Sequence, residues 1–133
     1  AAIPAGVTRV VSEFPEDEVA TLPPHSYFII MTHNHQLDQR LCEHILQRAD
    51  FAYLGLIGSR TKRRKFEMRL RAKGFNDSQL ARITCPIGLP QVRGKLAAEI
   101  AIAVAAEVIA CYSTAKPGSN TQSARDIIKQ LAV

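Results

Sequence analysis

Residues 51–74, FAYLGLIGSRTKRRKFEMRLRAKG, decide the fold. Phe51–Ile57 is an unbroken apolar run, the pattern of a strand buried on both faces of a parallel sheet. Gly58-Ser59 closes it. The spacing then predicts a strongly cationic helix over Thr61–Ala72 with Phe66 and Leu70 turned to the core. Lys73-Gly74 supplies a glycine stop. Strand, tight turn and helix in that order are the building unit of an α/β domain.

The same alternation continues in both directions. Upstream, Gly6–Ser12 (GVTRVVS) reads as a short strand. Glu13–Pro24 is an acidic, proline-bearing loop with one helical turn at Pro15–Ala20. Tyr27–Thr32 (YFIIMT) is a second buried strand, after which Asn34 or His35 opens a helix carrying Leu37, Leu41, Ile45 and Ala49 at helical spacing. Downstream, Asn76 caps a short helix, Asp77–Arg82. Ile83–Cys85 is a fourth strand ended by Pro86, and the loop Ile87–Gly94 leads to a buried apolar helix, Leu96–Tyr112. Lys116–Thr121 is expected to be a flexible connection and Ser123–Leu131 a terminal helix or tail. Strands alternating with helices give one α/β domain over residues 1–133, an open, mostly parallel sheet with flanking helices.

The chain has 133 residues, 47% of them hydrophobic, which suits one domain with a real core and argues against disorder. Its opening, AAIPAGVT, is no secretory signal, and Glu99 and Glu107 interrupt the longest apolar stretch, so no membrane span is expected. Cys42, Cys85 and Cys111 are odd in number and widely spaced, which suits a reducing cytoplasm better than a disulfide framework. The net charge of +5 is local. Arg60–Lys73 holds eight of the seventeen cations and one acid, Glu67, leaving nine cations against eleven acids elsewhere. One basic element fits a small anion or an acidic partner better than a long polyanion, so nucleic acid is not expected.

Three motifs follow expected strands, the place where open α/β sheets bind ligands. Gly58-Ser59-Arg60-Thr61-Lys62-Arg63 sets unpaired helix amides, a hydroxyl and guanidinium groups around one point, a good site for a phosphate. Cations at a helix start oppose its dipole, so an anion there would relieve them; the plain alternative is a solvated basic helix face. Thr32, His33 and His35, with Asp38 nearby, suit contact with a ligand or partner better than a metal, and hydrogen-bonded histidines at a capped helix are the plain alternative. Cys85-Pro86-Ile87-Gly88 puts a soft thiol at a strand end. Its position predicts a Cys85 accessible without ligand, with Cys42 and Cys111 in the core, although buried structural cysteine is the common case. Gly94-Lys95 lacks the spacing of a P-loop, yet its amides and ammonium suit an anion at the next helix start. No catalytic constellation stands out.

The strings THNHQLD (32–38), YLGLIGSRTKRRKF (53–66) and CPIGLP (85–90), followed by GK and AAEIAIAVAAEVIA (97–110), resemble the XdhC/CoxI family of accessory factors for xanthine dehydrogenase and related molybdenum hydroxylases. The resemblance spans about residues 27–110. It implies a partial Rossmann-like domain, without the family's opening strand and glycine-rich turn. A chain opening on Ala1 is thus expected to be part of a longer protein. It also implies a cytoplasmic factor that binds molybdenum cofactor, protects it during sulfuration and inserts it into the apo-enzyme, rather than an enzyme. The implied partners are the apo xanthine dehydrogenase or a related hydroxylase and a sulfur donor. The cofactor-binding candidates are Thr32, His33, His35, Gly58, Ser59, Arg60, Lys62, Arg63, Cys85, Gly88, Gly94 and Lys95. A nucleotide-binding, oxidoreductase-like domain and an anionic-polymer binder are the competing readings. Exposed sheet edges and apolar faces left by the absent half predict a homodimer.

Overall fold

The computed structural model describes residues 5–88, 93–113 and 128–132. Two compact units are present, Ala1–Leu54 with Asn120–Val133, and Gly55–Ser119.

In the first unit β1 (Val7–Val11) pairs in parallel with β5 (Ile128–Ala132), Val7 opposite Ile128 and Val11 opposite Ala132. The terminal helix or tail expected over Ser123–Leu131 is therefore a strand from Ile128 on, because a long-range partner supplies its ladder. The expected connection Lys116–Thr121 lies outside the described residues. α1 (Pro15–Glu18) starts on Pro15, whose fixed φ suits a first helical position, and continues as a 3-10 turn over Val19–Thr21. α2 (His35–Arg48) is capped by Asn34, whose side chain accepts from the amides of Gln36 and Leu37. It buries Leu37, Leu41, Cys42, Ile45 and Leu46. Ala49, expected inside the helix, is instead its exposed left-handed cap at φ 64°.

β2 (Tyr27–Ile30), β3 (Tyr53–Leu56) and β4 (Ile83–Thr84) form a parallel three-stranded sheet in the order β2-β3-β4. The middle strand is buried on both faces, as its unbroken apolar run predicts. β2 is not: Phe28 and Ile30 are buried, but Ile29 is exposed. An apolar run says that a strand can be buried twice over, and an edge position leaves one face open. Tyr27 and Tyr53 stack across neighbouring strands with ring centroids 6.1 Å apart.

The second unit continues from Gly55 in β3. α3 (Arg60–Ala72) buries Phe66 and Leu70, the two residues its spacing selects. α4 (Asp77–Leu80) has a capping box, Asn76 and Gln79 bonding each other's backbone amides. α5 (Ala97–Ser113) corrects an expectation. Its position is as predicted, yet only Ala103 and Val104 are buried, while Ile102 and Ile109 are exposed. Among the described residues no helix is long and apolar enough to cross a membrane.

Candidate functional site

The turn from β3 into α3 carries the densest chemistry in the second unit. Ser59 takes extended backbone angles, and its hydroxyl accepts from the Lys62 amide at 3.1 Å, starting the helix. Arg63 N–H bonds to the Ser59 carbonyl. Among the described residues the amides of Arg60 and Thr61 have no acceptor, as the geometry of a helix start requires.

The four cations of this first turn are not equivalent. Lys62 folds back, its ammonium donating to the Ile57 carbonyl at 2.7 Å and lying 5.4 Å from the Phe66 ring centre. Its stem fills the space beside Gly58, where a β-carbon would come within 2.4 Å of Lys62 Cδ. The close approach that Gly58 permits is thus used by Lys62. Arg63 donates through Nη1 to the Cys85 carbonyl at 2.9 Å and through Nε to Glu67 at 2.8 Å, tying α3 to the end of β4. Arg60 and Arg64 are exposed and form no ion pair among the described residues. Two of the four are therefore structural, and Arg60 and Arg64 stay exposed.

Cys85 lies in the same unit, immediately after β4, and is only 3% exposed. This overturns the expectation of an accessible thiol. Burial pushes its pKa above the usual 9.0, with the charges of Lys62 and Arg63 pulling the other way. The following peptide, Cys85-Pro86, is cis, and Ile87 N–H bonds to the Leu56 carbonyl. Cys42 is buried, but Cys111, also expected in the core, is half-exposed; none of the three is in a disulfide.

Two further candidates in this unit serve packing. Gly88, at φ 108°, lies against α5, where a β-carbon would meet that of Ala103 at 3.3 Å. At Gly94 the Glu99 carboxylate fills the space a β-carbon would take. A carboxylate in the first turn of α5 complements the helix dipole and already occupies the place suggested for an anion near Gly94 and Lys95.

Thr32, His33 and His35 belong to the other unit. The Thr32 hydroxyl donates to Asp38 at 2.5 Å and accepts from the Asn34 amide, and Thr32 N–H also reaches Asp38. Asp38 is wholly buried at the start of α2. Thr32 thus satisfies a buried carboxylate, a pairing whose only sequence signal is a Thr six residues before an Asp at a helix start. His33 and His35 are exposed, and among the described residues no three His, Cys, Asp or Glu are grouped to hold a metal ion. Neither the Arg63–Cys85 link nor the fold-back of Lys62 has a sequence signature, since both depend on where the backbone returns.

Residues 4–108 match the family described as XdhC Rossmann domain. A protein of Escherichia coli strain K12, described as uncharacterized protein YqeB, is 31% identical over 101 residues, which are 76% of this chain and 18% of that protein. A crystal structure described as a xanthine dehydrogenase from Bacillus halodurans is similar with a TM-score of 0.65 and 27% identity. That similarity covers 85% of this chain and 32% of the other. The chain therefore spans well under half the length of either relative.

Proposed function

The chain belongs to the XdhC family, and on that premise we propose that it binds molybdenum cofactor as cargo, within an accessory protein serving a xanthine dehydrogenase or a related molybdenum hydroxylase. The accessory role follows from the family. Cofactor binding and delivery is the finer reading, and the amino end of α3 is the observation that carries it. There two open amides, Arg60 and Thr61, lie beside an exposed Arg60 guanidinium that has no ion pair among the described residues. This donor set fits the phosphate of a pterin cofactor. Arg63 holds the turn against the Cys85 carbonyl, and the charges of Lys62 and Arg63 act on the Cys85 thiol. In this reading the softer, thio-molybdenum end lies toward Cys85. Reaching it requires local opening around the cis Cys85-Pro86 turn, since the thiol is buried. The protein acts in the cytoplasm as a carrier; its own residues hold and shield the cargo and catalyse no step. The client apo-enzyme and a sulfur donor are its partners.

Arg60→Ala tests this reading without touching a contact that holds the fold. Equilibrium dialysis against isolated molybdenum cofactor should show binding weakened about tenfold, the loss of one charge-assisted hydrogen-bonding group. Wild-type affinity in the variant would remove the site from α3. Arg63→Ala is the poorer test, because it also releases the Cys85 carbonyl and Glu67.

A further inference from the structure

α3 has a second face that the anion site leaves unused. Glu67, the single acid between Arg60 and Lys73, is occupied by Arg63 at 2.8 Å and Arg71 at 3.8 Å. Arg64 and Arg69 are exposed and form no ion pair among the described residues. Between them on the helix surface stands Met68, 67% exposed and turned away from buried Phe66 and Leu70. With Lys65, likewise exposed and in no ion pair among the described residues, three uncompensated cations surround one large apolar side chain.

The first unit carries the opposite pattern. Glu13 and Asp17 are exposed and form no ion pair among the described residues, whereas Glu16 of the same stretch faces Arg40 at 3.6 Å. Between Glu13 and Asp17 lies Phe14, 59% exposed as the N-cap residue of α1. Here two uncompensated acids frame one large apolar side chain.

We propose that the outward face of α3 docks the acidic α1 segment of a second copy of this chain, with Met68 against Phe14 at the centre of the contact. Charge complementarity selects the occupant: both halves of the match, a cluster of like charges around an apolar residue, are present and exposed in one sequence. A thioether against an aromatic ring is a favourable apolar pair. Charges at such a rim steer association and fix its register more than they tighten it, so the contact is salt-sensitive. A two-fold pair of chains makes it twice.

Charge exchange tests the proposal. In sedimentation of the 133-residue chain at about 100 μM, self-association should weaken at least about tenfold between about 50 and 500 mM salt. The pair Arg64→Glu with Arg69→Glu, and separately Glu13→Lys with Asp17→Lys, should each leave the chain monomeric, since like charges then meet. An equimolar mixture of the two double variants should restore the dimer, because reversed face meets reversed segment and the untouched patches meet each other. Phe14→Ala or Met68→Ala should weaken wild-type pairing at least about fivefold, as expected for a buried anchor. A monomeric wild-type chain at low salt overturns the proposal. So does a mixture that stays monomeric with both variants folded by circular dichroism. Rescue only when all four reversals share one chain also overturns it, because the contact is then intramolecular.

Discussion

At the scale of single residues, two polar groups are buried or shielded in ways that set their chemistry. Asp38 is sealed in the first unit and kept by the Thr32 hydroxyl and amide, as a buried carboxylate needs donors to remain in place. Cys85 is the opposite case, a group whose charged form is disfavoured by burial despite nearby Lys62 and Arg63. Its folded pKa lies above that of the unfolded chain, which releases the proton first as pH rises. The stability this contributes is therefore complete below about pH 9 and is lost as pH climbs from there through the folded value. Wild-type protein should lose more stability than Cys85→Ala in urea melts compared between about pH 8 and 10.5. Alkylation at neutral pH, followed residue by residue by mass spectrometry, should modify Cys111 at least about tenfold faster than Cys85 or Cys42. Equal rates for Cys85 and Cys111 would contradict the burial described for Cys85.

At the scale of elements, α3 carries an electrostatic conflict in its first turn. Its first turn has no acid, so the dipole and the cations of Arg60, Lys62, Arg63 and Arg64 oppose one another. Part of the conflict is relieved internally, by the Lys62 bond to Ile57 and the Arg63 bonds to Cys85 and Glu67. Ser59→Asp should relieve the rest, because aspartate caps as well as serine and adds a negative charge at the right place. The expected gain is about 0.3–1 kcal/mol in denaturant unfolding, together with weaker binding of molybdenum cofactor in dialysis. A variant that is stabilised and still binds the cofactor normally would show that the helix start is a fold device only.

At the scale of the whole chain, the longest-range pairing described is β1 with β5, joining residues near the two ends of the sequence. Truncation after residue 127 removes that partner and leaves the β1 amides without their ladder. Hydrogen exchange should then show protection of Val7–Val11 falling at least about tenfold, while α3 amides keep theirs. Unchanged protection at β1 would mean that its order does not depend on β5.

The sequence alone determined most of the element order. Apolar runs at Tyr27–Thr32 and Phe51–Ile57, caps at Asn34 and Asn76, and the glycine stop at Gly74 are local signals, and local backbone preferences and hydrophobic period are enough to read them. It also determined the family, because YLGLIGSRTKRRKF is a contiguous string. Ionic engagement was not legible. Nothing in RTKRRK says which cation bends back to a carbonyl and which stays outside, since that depends on where Ile57, Cys85 and Glu67 arrive in space. Nor was burial legible at Ile29, Cys111 or along α5, where residue type gives what a side chain prefers and the neighbours decide what it receives. The terminal segment shows the same division most plainly. Residues 128–131, expected to end a terminal helix or tail, are a strand because β1, more than a hundred residues away, offers the ladder. Local energetics propose a conformation, and only tertiary contact, whose free energy is larger than a weak propensity, selects it.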